Sequence, residues 1–200
     1  MCKDMSPLEK AIQFHGHVCP GLLMGVRVAE FAMHRLGVSA DVNEELLAVV
    51  ETDSCGVDAI QAILGCTFGK GNLIFKDYGK NVYTIASREN GQAIRVAQKF
   101  RNSRTPQSQR YRELVCKGPL TEAEAAEKEE LIALLFEQLM STPFEELFDW
   151  KEIDFEFPPK AGIFNTIQCT RCGEGVIDIK ATETARGPVC PGCLAENGGR

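Results

Sequence analysis

LLAVVETDSCGVDAIQAIL, residues 46–64, decides the fold that we predict for this chain. Its first part, residues 46–52, is a mostly apolar run that predicts a buried strand. Its second part places Val57, Ile60 and Leu64 at helical spacing, with Asp53 and Ser54 as capping groups at the start of the helix. A buried strand that leads directly into a helix is typical of a mixed domain.

The segments on either side of this stretch complete a small α+β domain. Before it, Ser6-Pro7 predicts a short helix to about Phe14, and Cys19-Pro20 predicts the start of a second helix that Gly37 ends. After it, three strands are predicted, within residues 72–76, 81–87 and 92–98. We therefore expect an α+β fold in which helices pack on a small mixed, mostly antiparallel sheet.

A helical extension is predicted between this sheet and the C-terminal region. Residues 101–112 are basic and polar, and we expect them to form a connection. Thr121 and Glu124 form a capping box. The helix that they start has a wide apolar face, which must be buried against the core or a second copy of the chain. Its residues are Leu131, Ile132, Leu135, Phe136, Leu139 and Met140.

The pattern predicts two domains. Residues 1–157 form the α+β core, in which residues 101–150 are the helical extension and a dimer contact. Pro158-Pro159 marks a linker, and residues 158–200 form a cysteine-rich domain.

Four cysteines in the C-terminal domain are spaced as zinc ligands. Cys169 and Cys172 form one C-x2-C pair, and Cys190 and Cys193 form a second pair 17 residues later. Four thiolates suit a tetrahedral structural zinc. A treble-clef-like zinc finger is the expected fold, and two disulfides, four thiols or an iron–sulfur cluster are the alternatives.

A second group of ligand-type residues lies in FHGHVCPG, residues 14–21. In an extended segment His15, His17 and Cys19 would point to the same side. Cys55 lies at the junction of strand and helix in the deciding stretch, between Asp53 and Asp58. If the fold brings Cys55 to the first group, the site could bind a second transition metal with an open coordination position.

Each of these residues also has a structural explanation. Cys55 alone is more typical of packing, Asp53 of a cap, Asp58 of a solvated first turn, and His15 of a surface. Cys19 and Cys55 could instead form a redox pair, because sequence alone does not give the distance between their Cα atoms.

Composition limits the class of protein. A net charge of −6 disfavours binding to nucleic acid, and no apolar run has the length of a transmembrane helix. The first ten residues lack the apolar stretch of a signal peptide, so we expect a cytoplasmic protein. Nine cysteines in a reducing compartment indicate metal binding or thiol chemistry more than disulfides.

The chain resembles FmdE, a family of formylmethanofuran dehydrogenase subunits. FHGHVCPG, ETDSCGVDAIQ, GKGNLIFKDYGK and the four-cysteine tail carry the resemblance, which covers residues 8 to about 100 closely. The resemblance implies an α+β core, an appended zinc finger and a homodimer. It also implies a metal or catalytic role for His17, Cys19 and Cys55, with His15, Asp53 and Asp58 nearby as cofactor-binding residues.

The family resemblance also suggests a biochemical context. Its name comes from association with a molybdenum enzyme, so a molybdenum enzyme or a cofactor-handling protein is an expected partner. The resemblance does not imply dehydrogenase activity for this chain. A non-catalytic subunit that uses the zinc finger for protein contacts is the alternative.

Overall fold

The computed structural model describes residues 5–100, 105–160 and 162–195. The chain divides into two compact units, residues 1–160 and 161–200. We call the first the main unit and the second the four-cysteine unit.

The main unit contains six helices and five strands within its described residues. In chain order they are α1 (Pro7–His15), α2 (Pro20–Leu36), β1 (Leu46–Val50), α3 (Gly56–Leu64), β2 (Leu73–Phe75), β3 (Val82–Ser87), β4 (Ala93–Gln98), α4 (Pro106–Cys116), α5 (Glu122–Ser141), α6 (Phe144–Leu147) and β5 (Phe148–Glu152).

One mixed sheet forms the framework of the main unit. Its strand order is β2-β1-β3-β4-β5, in which β1 and β2 are parallel and the other neighbours are antiparallel. All residues of β1 and β3 are buried, as expected for central strands covered by helices. The predicted α+β class and the mostly antiparallel sheet are confirmed.

The first two helices begin and end where their sequences predict. Ser6 and Glu9 form a capping box at the start of α1. Cys19 is the N-cap of α2, and its sulfur accepts a hydrogen bond from the backbone N–H of Leu22 at 3.4 Å. Gly37 ends α2 in the left-handed conformation, which glycine adopts without a steric penalty.

Two glycines bring α2 and α3 into backbone contact. A Cβ atom on Gly25 would lie 2.3 Å from the carbonyl oxygen of Gly56, and one on Gly56 would lie 2.4 Å from the hydroxyl of Tyr83. Any side chain at either position would therefore push the helices apart. The contact sets the distance between the starts of α2 and α3, where Cys19 and Cys55 lie.

Three local predictions were wrong or incomplete. Asp53 and Ser54 do not cap α3, because Cys55 occupies the N-cap position in a helical conformation without a side-chain cap. Residues 106–112, predicted as a connection, belong to α4, which Thr105 caps and Pro106 begins; residues 101–104 of that prediction lie outside the described residues. Strand β5 was not predicted.

The apolar face of α5 packs within the chain. Leu135 is 5% exposed, and α5 contacts α2 and α4. Arg27 of α2 donates hydrogen bonds to the carbonyl oxygens of Leu139, Met140 and Thr142 at the C-terminal end of α5. These bonds satisfy helix-end carbonyls that would otherwise lack partners. Dimerisation through this region stays a prediction.

The four-cysteine unit consists of short elements. They are β6 (Thr166–Gln168), β7 (Gly175–Ile177), a 3₁₀ turn (Asp178–Lys180), β8 (Thr182–Thr184), β9 (Gly187–Val189) and α7 (Pro191–Ala195). The strands form two antiparallel hairpins, β6–β7 and β8–β9. None of the described helices in either unit combines the length and apolar character that crossing a membrane requires.

Candidate metal centres

The four cysteines of the C-terminal unit meet at one point. The sulfur atoms of Cys169, Cys172, Cys190 and Cys193 all lie within 4.8 Å of one another. Cys169 and Cys172 come from the turn between β6 and β7, whereas Cys190 and Cys193 come from the start of α7. Four convergent sulfur ligands suit a tetrahedral metal such as zinc.

Backbone amides prepare one of these sulfurs for a metal. The N–H groups of Cys172, Cys190 and Arg171 lower the pKa of the Cys169 thiol to about 6. The Cys190 N–H lies 3.3 Å from the Cys169 sulfur. In contrast, the neighbouring sulfurs of Cys190 and Cys172 raise the pKa of Cys193 to about 12. Four thiolates in this space therefore need a cation to offset their repulsion.

A second group lies at the junction of α1 and α2 in the main unit. Ligand atoms of His15, His17 and Cys19 lie within 4.8 Å of one another, and the Nε2 atom of His15 is 3.7 Å from the Cys19 sulfur. The two imidazole rings are 4.6 Å apart between centroids. His15 is the last residue of α1 and Gly16 is left-handed, so a helix end and a turn, not an extended segment, bring the three side chains together.

His15 is held by a carboxylate on a neighbouring helix. Its Nδ1 atom lies 2.7 Å from an Asp58 carboxylate oxygen, and Asp58 is in the first turn of α3. The ring therefore turns its Nε2 atom toward Cys19. A carboxylate on the remote nitrogen of a histidine is a common orienting contact for metal ligands.

Cys55 lies beside this group. A Cβ atom on Gly21 would meet the Cys55 Cβ at 3.3 Å, the Cys55 sulfur at 3.8 Å and the Cys19 sulfur at 4.0 Å. Both sulfurs thus border the small space that Gly21 leaves open. Cys55 lies outside the group of His15, His17 and Cys19 whose ligand atoms are mutually within 4.8 Å.

Burial and sulfur–sulfur proximity affect Cys19. Burial raises the pKa of its thiol, the N–H of Leu22 opposes this rise, and the neighbouring Cys55 adds to it. A helix N-terminus favours a thiolate, but here burial outweighs that effect. A metal ion that binds Cys19 at neutral pH must therefore displace a proton.

Asp53 takes no part in the contacts described for these residues. It lies two positions before Cys55 with an exposed side chain.

Two tyrosines that the sequence did not indicate lie near the two sulfurs. Burial raises the pKa of Tyr111 on α4, and Cys19 and Cys55 add to this rise. Burial also raises the pKa of Tyr83, while a hydrogen bond with Ser54 lowers it. Only the Thr105-Pro106 start signal of α4 could have indicated that Tyr111 lies on a helix.

A family model described as "FmdE, Molybdenum formylmethanofuran dehydrogenase operon" matches residues 14–149. This match includes His15, His17, Cys19, Cys55 and Asp58, and it ends before the four-cysteine unit.

One curated relative and one solved structure are similar to the chain. A "Probable S-adenosyl-L-methionine-binding protein" of Archaeoglobus fulgidus is 34% identical over 175 residues, which is 84% of this chain and 48% of that protein. The chain thus spans about half the length of this relative. A tungsten formylmethanofuran dehydrogenase FmdE-like protein from Syntrophus aciditrophicus has a TM-score of 0.63 at 22% identity, over 94% of this chain and 90% of that one. This structure supports the fold.

Proposed function

The chain belongs to the FmdE family, and on this premise we propose that its main unit is a metalloprotein with a transition-metal site in the core. The proposed ligands are His15, His17, Cys19 and Cys55. The observation that carries the proposal is the convergence of His15, His17 and Cys19 within 4.8 Å, with the Cys55 sulfur alongside. His15 extends the three ligands predicted from sequence.

The donor set fits a borderline transition metal better than magnesium or calcium, which prefer oxygen ligands. Asp58 would keep the Nε2 atom of His15 available for the metal by accepting a hydrogen bond from Nδ1. The N–H of Leu22 would stabilise the Cys19 thiolate once its proton has left. A bound metal would supply a Lewis acid at this point.

The small space at Gly21 would give a substrate access to the site. A glycine at this position leaves the sides of both sulfurs uncovered, where any side chain would fill the approach. We propose that this access serves a reaction or a cofactor transfer tied to molybdopterin or one-carbon enzymology. The family's description by a molybdenum formylmethanofuran dehydrogenase operon supports this context. A cytoplasmic homodimer that meets a molybdenum enzyme or a cofactor-handling protein is part of the same proposal.

S-adenosylmethionine binding is not part of the proposal. The Archaeoglobus protein carries that description as a whole, and more than half of its length lies outside the match.

The C-terminal unit supports a second candidate function. Large apolar side chains are exposed on it: Ile163 at 105%, Phe164 at 43% and Ile179 at 60%. Exposed apolar side chains grouped on a small unit are typical of protein contacts. The alternative is therefore an accessory subunit in which a zinc-bound C-terminal unit recognises a partner protein and the core site turns nothing over.

Metal content per chain tests the main proposal. Protein purified without oxygen is compared with the Cys55→Ala and His15→Ala variants, and Cys116→Ser serves as a control for loss of an exposed thiol. We expect about two ions in the wild type and the control, and about one in each site variant. About one ion in all four proteins would leave only the C-terminal site.

The alternative is separated by partner binding. An adaptor keeps its partner in the Cys55→Ala variant and loses it when the C-terminal metal is removed.

A further inference from the structure

A cleft of about 760 Å³ lies in the main unit beside the core site. It lies between α4 and α5 on one side and the starts of α2 and β3 on the other. Sites for small molecules commonly have volumes of about 300–1,000 Å³. The cleft therefore has room for a molecule larger than the ligands of a metal site alone would require.

One part of the cleft wall is apolar and already buried. It is formed by Met24, Val82, Leu135 and Leu147, each less than a tenth exposed, and Phe100 lies at the cleft with its side chain 88% exposed. Such a surface favours a ligand with an apolar segment, because burial of that segment removes it from water.

The charged lining of the cleft has one sign. Lys80 and Lys99 contribute to it, and none of the described residues that line it is a carboxylate, in a chain with a net charge of −6. Lys99 lies 3.3 Å from the Asp149 carboxylate, which offsets part of its charge. Lys80 makes no ion pair with the described residues, and its ammonium group lies 5.8 Å from the ring centre of Tyr78. Lys80 thus gives the cleft an attraction for anions.

The cleft reaches the core site through three of its lining residues. Gly21 borders both sulfurs, Ser54 precedes Cys55, and Tyr83 lies against Gly56. Ser54 donates a hydrogen bond to the side-chain carbonyl of Asn81 at 3.1 Å, and Asn81 is the neighbour of Lys80 in the chain. The polar groups next to Lys80 therefore extend toward Cys55.

We propose that this cleft binds an organic anion with an apolar segment, which lies on the wall formed with α5 while its anionic group is held at Lys80. The place of the cleft against Gly21 makes this anion the substrate class of the core site. That last step rests on the proposed function, whereas binding of the anion does not.

Fluorescence titration with two probes tests the proposal. Anilinonaphthalene sulfonate is an organic anion with an apolar body, and N-phenylnaphthylamine has the same body without the charge. The Lys80→Gln variant is compared with Lys151→Gln, which removes an exposed lysine of β5 that does not line the cleft. We expect Lys80→Gln to weaken binding of the sulfonate roughly three- to tenfold, as for one partly screened charge contact, and to leave the uncharged probe unchanged.

A second pair of variants locates the probes. Gln138→Trp places a bulky side chain in the cleft, and Glu137→Trp places the same side chain at an exposed neighbouring position that does not line it. We expect only Gln138→Trp to weaken both probes. Equal effects of the two lysine variants, or no effect of Gln138→Trp, would overturn the proposal.

The same titration on the Cys55→Ala variant separates this proposal from the proposed metal site. Lys80-dependent binding that persists while the core holds no metal supports the anion site and contradicts the metal site. Binding that does not depend on Lys80 in a protein with about two ions per chain contradicts the anion site alone.

Discussion

The two candidate metal centres differ in what holds their ligands together. In the four-cysteine unit, only Cys169 and Val189 are buried among residues 162–195. In the main unit, the ligands lie on α1, α2 and α3, which pack on one another over a buried sheet. The first site would organise its fold, whereas the second is organised by its fold. A metal can thus be expected to stabilise one unit and to serve chemistry in the other.

Removal of the C-terminal metal should have the largest effect. The Cys172→Ser variant, or a chelator, should unfold the four-cysteine unit, because binding of a structural zinc contributes on the order of 10 kcal/mol to folding of such small units. Amide exchange in β6 through β9 should become fast, whereas Cys116→Ser should leave it slow. Slow exchange after metal loss would mean that the hairpins hold the unit without a metal.

Separation of α2 from α3 should have the next largest effect. Gly25→Ala places a Cβ 2.3 Å from the carbonyl oxygen of Gly56, and we expect a loss of about 3 kcal/mol in the free energy of unfolding. Core metal content should fall with it, although no ligand has changed. The control is Gly69→Ala, where a Cβ would meet no atom within 4 Å. Urea unfolding that shows no difference between the two variants would contradict the packing argument.

The carboxylate behind His15 should affect affinity more than stability. Asp58→Asn removes the charge that lies 2.7 Å from Nδ1 of His15, and we expect the core metal to bind about 10- to 100-fold more weakly. The matched change Asp77→Asn, at an exposed turn outside the site, should have no effect. Competition with a chromophoric chelator measures both. Equal affinities would show that His15 does not depend on Asp58 for its orientation.

Cys19 should show the smallest effect on stability, because it has two roles that can be separated. Its sulfur caps α2, and Cys19→Ala should reduce the free energy of unfolding by about 1 kcal/mol. Cys19→Ser keeps a capping oxygen and should recover most of that loss, while neither variant should keep the core metal. A Ser variant that binds the metal as tightly as the wild type would remove Cys19 from the proposed ligands.

Local patterns predicted most of the fold and one half of the core site. The helices α1, α2, α3 and α5 and the first four strands follow from apolar spacing and caps, and His15, His17 and Cys19 are near one another in sequence. Helix α4 has few apolar residues, so its periodicity is weak. Strand β5 alternates apolar and polar residues over only five positions, and its pairing with β4 joins residues far apart in the chain.

The approach of Cys55 to Cys19 was a condition that the sequence could not test. It depends on the contact of Gly25 with Gly56, and a single glycine within a helical pattern does not indicate which backbone it will touch. The orienting contact of Asp58 with His15 depends on the same packing, since it joins α3 to the end of α1.

Arg27 makes the cleft wall and the sulfur-bearing helix one mechanical element. Its guanidinium joins α2, which begins next to Cys19, to three carbonyl oxygens at the end of α5. For α5 to slide along α2, these three hydrogen bonds to a single charged group must break together. The width of the cleft and the position of Cys19 are therefore geared to each other, so that a molecule that widens the cleft at α5 pulls on the helix that holds the sulfur.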